Sequence, residues 1–251
     1  MACVRLELLT DTDMHLFIEK GLRGGISTVT HRHAKVHNRY VPDYNPSQPS
    51  SHVTYLDTNN LYGWAMSQTL PVDVFRWLED QEIESLNVLE ISDNNENGYI
   101  LEVDLNYPPE LHDHHNEYLK VTEDMLSPYA KKFPEDLDLS GTSTEKLIPN
   151  LNSKEKYVVH YRNLKLYLSF GMKLTRIHKV VIFRQTPRLK QYIDFNTEKR
   201  KMAKNDFEKD FLKLMNNAVF GKTMENLRNR LIVQLVNNQS KTRKLTTKPT
   251  C

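Results

Sequence analysis

The chain is poor in cysteine: Cys3 and Cys251 stand at opposite ends of its 251 residues. Two thiols so placed give neither a metal-ligand spacing nor a disulfide framework, and a reducing compartment is expected. Long apolar runs are lacking too. Nothing approaches the roughly 18 consecutive apolar residues of a membrane span, and the N-terminus has no basic-then-apolar signal pattern. The expectation is a soluble, intracellular protein. Excess charge of one sign is also missing, with 34 Lys+Arg against 32 Asp+Glu, so bulk charge does not announce a nucleic-acid binder. The distribution is less even. From Lys190 to Lys248 basic residues far outnumber acidic ones, which suits either a phosphate-facing segment or a solvated helical face. The length allows one sizeable domain or two small ones.

What is present centres on Val53 to Met66, VTYLDTNNLYGWAM. Val53 and Tyr55 around the polar Thr54 predict a short strand ending at a carboxylate, Asp57. Thr58, Asn59 and Asn60 suit a turn, followed by Leu61, Tyr62 and the breaker Gly63. A strand that delivers an Asp to a turn holds a metal ligand rigidly and frees backbone carbonyls for the same cation. A lone Asp in such a place is more often a cap or turn residue. Far downstream, Lys213 to Lys222 reads KLMNNAVFGK.

Together these stretches resemble the family B DNA polymerases. Asp57-Thr-Asn-Asn60-Leu61-Tyr62-Gly63 is similar to their motif A, an Asp, two variable residues, a small polar residue, then Leu-Tyr-Pro. Lys213-Leu-Met-Asn-Asn217-Ala218-Val-Phe220-Gly221 is similar to motif B, Lys, three residues, then Asn-Ser-x-Tyr-Gly. The Leu-Tyr-Gly-Trp-Ala-Met wording and the long insert between the motifs resemble the protein-primed branch, as found in Polinton or Maverick-type transposons and related viral and organellar elements. The likeness runs roughly from Leu6 to Arg230.

The resemblance implies template-directed deoxynucleotidyl transfer in DNA replication. Two Mg²⁺ ions, primer-template DNA, deoxynucleoside triphosphates and a terminal protein as primer would be the partners, in the nucleus or cytoplasm, or in mitochondria for a relative of organellar plasmids. Asp57 would be the catalytic metal ligand, with the Thr58 carbonyl a second oxygen. Asn60, Leu61 and Tyr62 would face the nucleotide, Tyr62 excluding a 2′-hydroxyl by bulk. Lys213 and Lys201 would hold phosphate oxygens, while Asn217, Phe220 and Gly221 line the nascent base pair. Arg23, Gly24 and Gly25 resemble the family's Tyr-x-Gly-Gly template contact without its tyrosine, and a simple loop fits them equally. Lys222 would touch DNA. Phe220 and Ala218, where the family has Tyr and Ser, each lose a polar group. The hairpin of motif C, with its paired aspartates, has no counterpart: no Asp follows Asp210. Exonuclease carboxylate motifs are absent as well. One carboxylate cannot hold two ions, so an internal or truncated polymerase piece is expected. The alternative is a non-catalytic nucleic-acid- or nucleotide-binding remnant of a domesticated transposon.

The expected fold is α+β. Its parts are a pre-palm segment (1–52), a palm piece with motif A (53–72), an insert resembling the terminal-protein region with connecting elements (73–186), helical fingers (187–230) and a polar tail (231–251). A small antiparallel palm sheet would hold Tyr55 to Asp57. Residues 5–20 read as an amphipathic helix capped near Thr10, which makes Asp11-Thr12-Asp13 a cap in preference to a catalytic pair. His31, His33 and His37 lie among cations and read as a solvated or nucleic-acid-facing loop, and residues 42–51 as a linker. Phe75 to Leu89 predicts a short helix pair, and Tyr99 to Leu105 a clean strand ending near Asp104, a rival to Asp57 as metal ligand. His112 to His115 reads as a surface loop, and residues 120–156 as loops with short helices. Tyr157 to Leu168 has helical spacing, His178 to Phe183 is strand-like, and Pro187 opens a helix. In Asp206 to Asn217 a stripe of Phe207, Phe211, Leu214 and Met215 reads as core, with Lys209, Lys213 and Asn217 on another face. The tail from Asn237 reads as disordered.

Overall fold

The computed structural model of the chain describes residues 5–24, 29, 33–115, 121–126, 145–225 and 235–247. It divides the chain into two compact units, Met1–Tyr192 and Ile193–Cys251.

The first unit is built on a four-stranded antiparallel sheet in the order β1-β6-β2-β5, from β1 (Leu70–Trp77), β2 (Asn97–Asn106), β5 (Lys154–His160) and β6 (Lys173–Thr186). Side chains of β2 alternate, so Leu101, Val103 and Leu105 turn to one face and Glu102 and Asp104 to the other. The three apolar residues are fully buried and join Tyr107, Tyr157, Val159, Tyr161, Leu164 and Val180 in the main core. Each contributes roughly 1.5–3 kcal/mol through burial. Helix α5 (Tyr161–Ser169) supplies Tyr161 and Leu164 to that side. On the opposite face α1 (Thr12–Lys20) packs Met14 and Phe17 against Val158 and Val181. A separate hairpin pairs β3 (Val121–Leu126) with β4 (Glu145–Asn150). The architecture is α+β, as expected.

Local chemistry sets several boundaries. The Asp11 carboxylate accepts from the Asp13 and Met14 backbone N–H groups and from Trp77 Nε1, so it caps α1. These bonds, the Met14 one foremost, hold its pKa below the ordinary carboxylate value. The chain turns at residues 59–60 as its Asn content suggests.

Other expectations are corrected. Val53 to Asp57 form no strand and lie outside the sheet; residues 51–60 are exposed throughout, Tyr55 at 91% and Leu56 at 85%. Among the described residues no neighbouring chain completes a ladder there, and alternation alone cannot hold an isolated strand. Gly63 does not break structure but sits inside α2 (Leu61–Met66). Phe75 to Trp77 belong to β1, because pairing with β6 decides over local pattern; only α3 (Asp80–Glu84) and a 3₁₀ turn at Val88–Glu90 are helical there. Tyr157 to His160 complete β5 before the helix starts, since their β-branched neighbours Val158 and Val159 pair with β2. The helical turn α4 (His112–His115) buries His115, whose Nδ1 lies 2.8 Å from the Tyr107 hydroxyl, so it is not a surface loop. Over residues 120–156 the β3–β4 pair replaces expected loops, and residues 127–144 lie outside the described residues.

Helix α6 (Lys190–Lys201) runs into the second unit, followed by α7 (Asp206–Thr223) and α8 (Gln239–Thr246). Asn205 caps α7 by accepting from Glu208 N at 2.8 Å, and Asn238 caps α8 through Ser240 N, giving helix where disorder was expected. A buried bond from Asn196 Nδ2 to Asn216 Oδ1, 2.8 Å long, ties α6 to α7. The stripe expected as core is not buried. Phe207 is 78% exposed, and Phe211 and Leu214 are exposed beside it.

Candidate active site

Asp57 lies in the first unit on an exposed, irregular segment, and Thr58 follows it there. Among the described residues Asp57 has no hydrogen-bond or ion-pair partner. Directly after it the backbone turns at Asn60, whose φ of 57° is left-handed, a conformation that Asn tolerates better than most residues. Helix α2 begins at once, with Leu61 and Tyr62 half-exposed in its first turn. The Asn60 side chain folds over Gly63. A β-carbon at Gly63 would come within 2.4 Å of the Asn60 amide nitrogen, so Asn60 and the glycine form one local device. Ser67 Oγ closes the helix end by donating to the Gly63 carbonyl at 2.8 Å.

Sequence reasoning missed the anchor of this segment. Arg162, at the start of α5, donates from Nη2 to Thr69 Oγ1 at 2.6 Å and to the Asp93 carbonyl, fixing the link between α2 and β1. Thr69, Asp93 and Arg162 are too far apart in the chain for any local pattern to expose this contact.

The rival carboxylate, Asp104, is already engaged. Its Oδ1 accepts from Lys156 N at 2.7 Å and its Oδ2 stands 2.8 Å from His178 Nε2. The Lys156 backbone bond, then His178, lowers its pKa below the ordinary value. Lys156 has a left-handed φ of 48° at the bulge between the Val103 and Leu105 pairs, so Asp104 stabilises a bend in the sheet.

Arg23 is also held by the fold. Its Nη1 donates to the Val158 carbonyl at 2.7 Å, and its guanidinium lies 3.9 Å from the Tyr157 ring centroid. That makes it an anchor of the turn after α1. Gly24 is exposed beside it, and Gly25 lies outside the described residues.

The second unit carries the remaining candidates. Along α7, Lys213, Asn217 and Phe220 follow at i, i+4 and i+7 and share a face, with Gly221 beside them. No β-carbon clash would arise at Gly221. Lys213 is exposed and has no ion-pair partner among the described residues. Lys201 pairs with Glu198 at 2.7 Å, and Lys222 pairs with Glu225. Both pairs lie one turn apart; the first is exposed on both sides, contributes little and yields readily to a competing anion, while Glu225 of the second is half-buried.

Among the described residues no group of three or more His, Cys, Asp or Glu side chains could hold a metal ion. Asp57 is a single exposed carboxylate, a donor type that Mg²⁺ accepts when waters and substrate phosphates supply its other oxygens. No helix among them is long and apolar enough to cross a membrane.

Comparison with known proteins gives one result. The family model described as DNA polymerase type B, organellar and viral, matches residues 7–250. No curated protein and no solved structure matches the chain. Members of this family are nucleotidyltransferases of DNA replication that act on primer-template DNA and deoxynucleoside triphosphates. With nearly its whole length matched, the chain belongs to the organellar and viral type B DNA polymerases.

Proposed function

We propose that this chain carries the nucleotide-handling part of a protein-primed DNA polymerase of the transposon type. The observation that supports this most is the contrast between its two aspartates. Asp104 is consumed by the fold, whereas Asp57 stands exposed and unpaired directly before a helical turn bearing Tyr62. When bound, Mg²⁺ would neutralise the triphosphate and the developing charge of the transfer. Asp57 and the Thr58 carbonyl would hold it. Tyr62 would lie under the sugar and exclude a 2′-hydroxyl. Lys213 and Lys201 would bind phosphate oxygens as point charges, and Asn217, Phe220 and Gly221 would border the incoming base pair. Gly24 and Gly25 would let the template backbone approach closely, Lys222 would contact DNA, and the insert would meet the terminal protein.

A second reading has its own support. With no group of three or more metal-ligating side chains among the described residues, the chain by itself would bind nucleic acid and nucleotide but not join them. Primer extension with Mg²⁺ separates the two. The polymerase reading expects extension once a hairpin bearing Asp-Thr-Asp is fused downstream, lost with Asp57→Asn and kept with a folded Asp104→Asn. Extension that depends on Asp104 instead would overturn the assignment of Asp57. A folded fusion that binds primed DNA but never extends it would favour the binding remnant.

A further inference from the structure

Strand β6 departs twice from regular pairing with β2. The register runs Glu102↔Lys179, then Val103↔Ile177, and again Asp104↔Arg176, then Leu105↔Leu174, before Asn106↔Lys173. Each shift inserts one extra residue into β6, His178 at the first and Thr175 at the second. Residues directly opposite in an antiparallel ladder share a face, and Glu102, Asp104 and Asn106 alternate onto the same face of β2. Lys173, Arg176 and Lys179, three apart in sequence, are thereby brought into a single row. Without the two bulges, spacing by three would send alternate cations to opposite faces. Neighbours in the row are separated by two residues of β2, roughly 6.5–7 Å at a rise of about 3.3 Å per residue.

The row retains its charge. All three side chains are exposed, and none has an ion-pair or hydrogen-bond partner among the described residues. The carboxylates directly opposite have closer partners, and of the three cations only Arg176 adds a weaker attraction, to Asp104. Glu102 pairs with Lys20 at 3.2 Å, while Asp104 holds Lys156 N and faces His178 Nε2. Lys179 Nζ lies 5.8 Å from the Trp77 ring centroid, which orients the ammonium without neutralising it. The apolar residues between, Leu174 and Ile177, pack into the main core on the other side. A fixed row of cations on a rigid strand, evenly spaced near the separation of successive phosphates in an extended strand, matches a polynucleotide backbone.

We infer that Lys173, Arg176 and Lys179 form a track for the phosphate backbone of one nucleic-acid strand on the exposed face of β6. The track rests on the reading of the chain as a polynucleotide-binding protein and adds to it a surface outside both polymerase-like motifs. Phosphate contacts alone carry no base information, so the track is indifferent to sequence. A single row serves one backbone, so an extended single strand engages it at least as well as a duplex.

The test is fluorescence anisotropy with the full chain and a labelled single-stranded oligonucleotide over a range of salt. The variant Lys173→Gln/Arg176→Gln/Lys179→Gln should bind at least tenfold more weakly at low salt. Its log–log salt slope should be shallower by about 2, at roughly 0.7 per lost contact with a single strand. The charge-conserving variant Lys173→Arg/Arg176→Lys/Lys179→Arg should bind like the parent, and circular dichroism of both should match it. Unchanged affinity and slope in the Gln variant would overturn the track. If Lys201→Ala/Lys213→Ala weakens binding while the Gln variant does not, the track falls and the polynucleotide-binding reading stands. If the parent chain itself does not bind at low salt, both fall. Polyaspartate that displaces the oligonucleotide at equal charge concentration would instead assign the row to an acidic protein partner.

Discussion

Two aspartates with similar sequence settings have opposite structural circumstances, and stability measurements distinguish them. Asp104→Asn removes the charge that holds the Lys156 bulge and faces His178. It should lower the unfolding free energy in urea by about 1.5–3 kcal/mol, the range for a charged hydrogen bond. Asp57→Asn, at an exposed position without a partner, should stay within about 0.5 kcal/mol of the parent. The lowered Asp104 pKa also fixes a sign. Its contribution is complete above the ordinary carboxylate pKa and is lost as pH falls through the depressed folded value. His160 supplies a second residue-scale prediction. Burial first, then Arg162, depresses its pKa from 6.5 to about 4, and its ring packs against Tyr161 and Phe183. The unfolded chain therefore takes up a proton that the folded chain refuses. Stability should be full above pH 6.5 and fall between there and about pH 4, by an amount on the order of 2–3 kcal/mol. Urea midpoints across that interval would show the fall, and His160→Gln should flatten it. An unchanged profile in the variant would place the titration elsewhere.

At the scale of elements, burial decides which apolar residues matter to folding. Leu101→Ala in β2 opens a cavity in the main core and should cost about 2–5 kcal/mol. Phe207→Ser with Phe211→Ser, on the exposed stripe of α7, should move the thermal midpoint little, because neither ring is buried in the folded chain. A loss in the second variant comparable to the first would mean that the stripe is covered in solution. The β2 strand was readable from alternation, and α7 from the helical spacing of Phe207, Phe211, Leu214 and Met215. Other elements were not. Phe75 to Trp77 and Tyr157 to His160 have spacings that suit a helix in isolation, and only pairing with β6 and β2 makes them strands. Their partners are more than fifty residues away, beyond the reach of any local window.

At the scale of the whole molecule, near-balanced charge argues against tight association with a polyanion, while the basic excess after Lys190 favours weak, salt-sensitive association. The chain should bind primed and single-stranded DNA with micromolar affinity at best, within the roughly 10⁻⁴ to 10⁻⁶ M range of non-specific binding. The affinity should decline steeply with salt and show slight sequence preference. Titrations at two salt concentrations with two unrelated oligonucleotides measure both. Affinity that is insensitive to salt would contradict a phosphate-based interface.

By itself the sequence determined the family likeness and the mixed α+β class, because these depend on residue type and short-range order. Asp57-to-Gly63 and Lys213-to-Gly221 are legible as strings of letters. So is the Asp11 cap, whose bonds reach only two and three residues along the chain. Tertiary structure alone decided which carboxylate was spoken for, since Lys156 and His178 meet Asp104 only across the sheet. It also decided that Arg23 would anchor a turn against β5, and that Arg162 would secure Thr69. The same holds for β6. Cations spaced by three carry no strand signal, and two bulges set by pairing with β2 put them on one face. Local propensity acts over a few residues, whereas strand register is fixed by the burial of a distant partner, and that information is not contained in any short stretch of the chain.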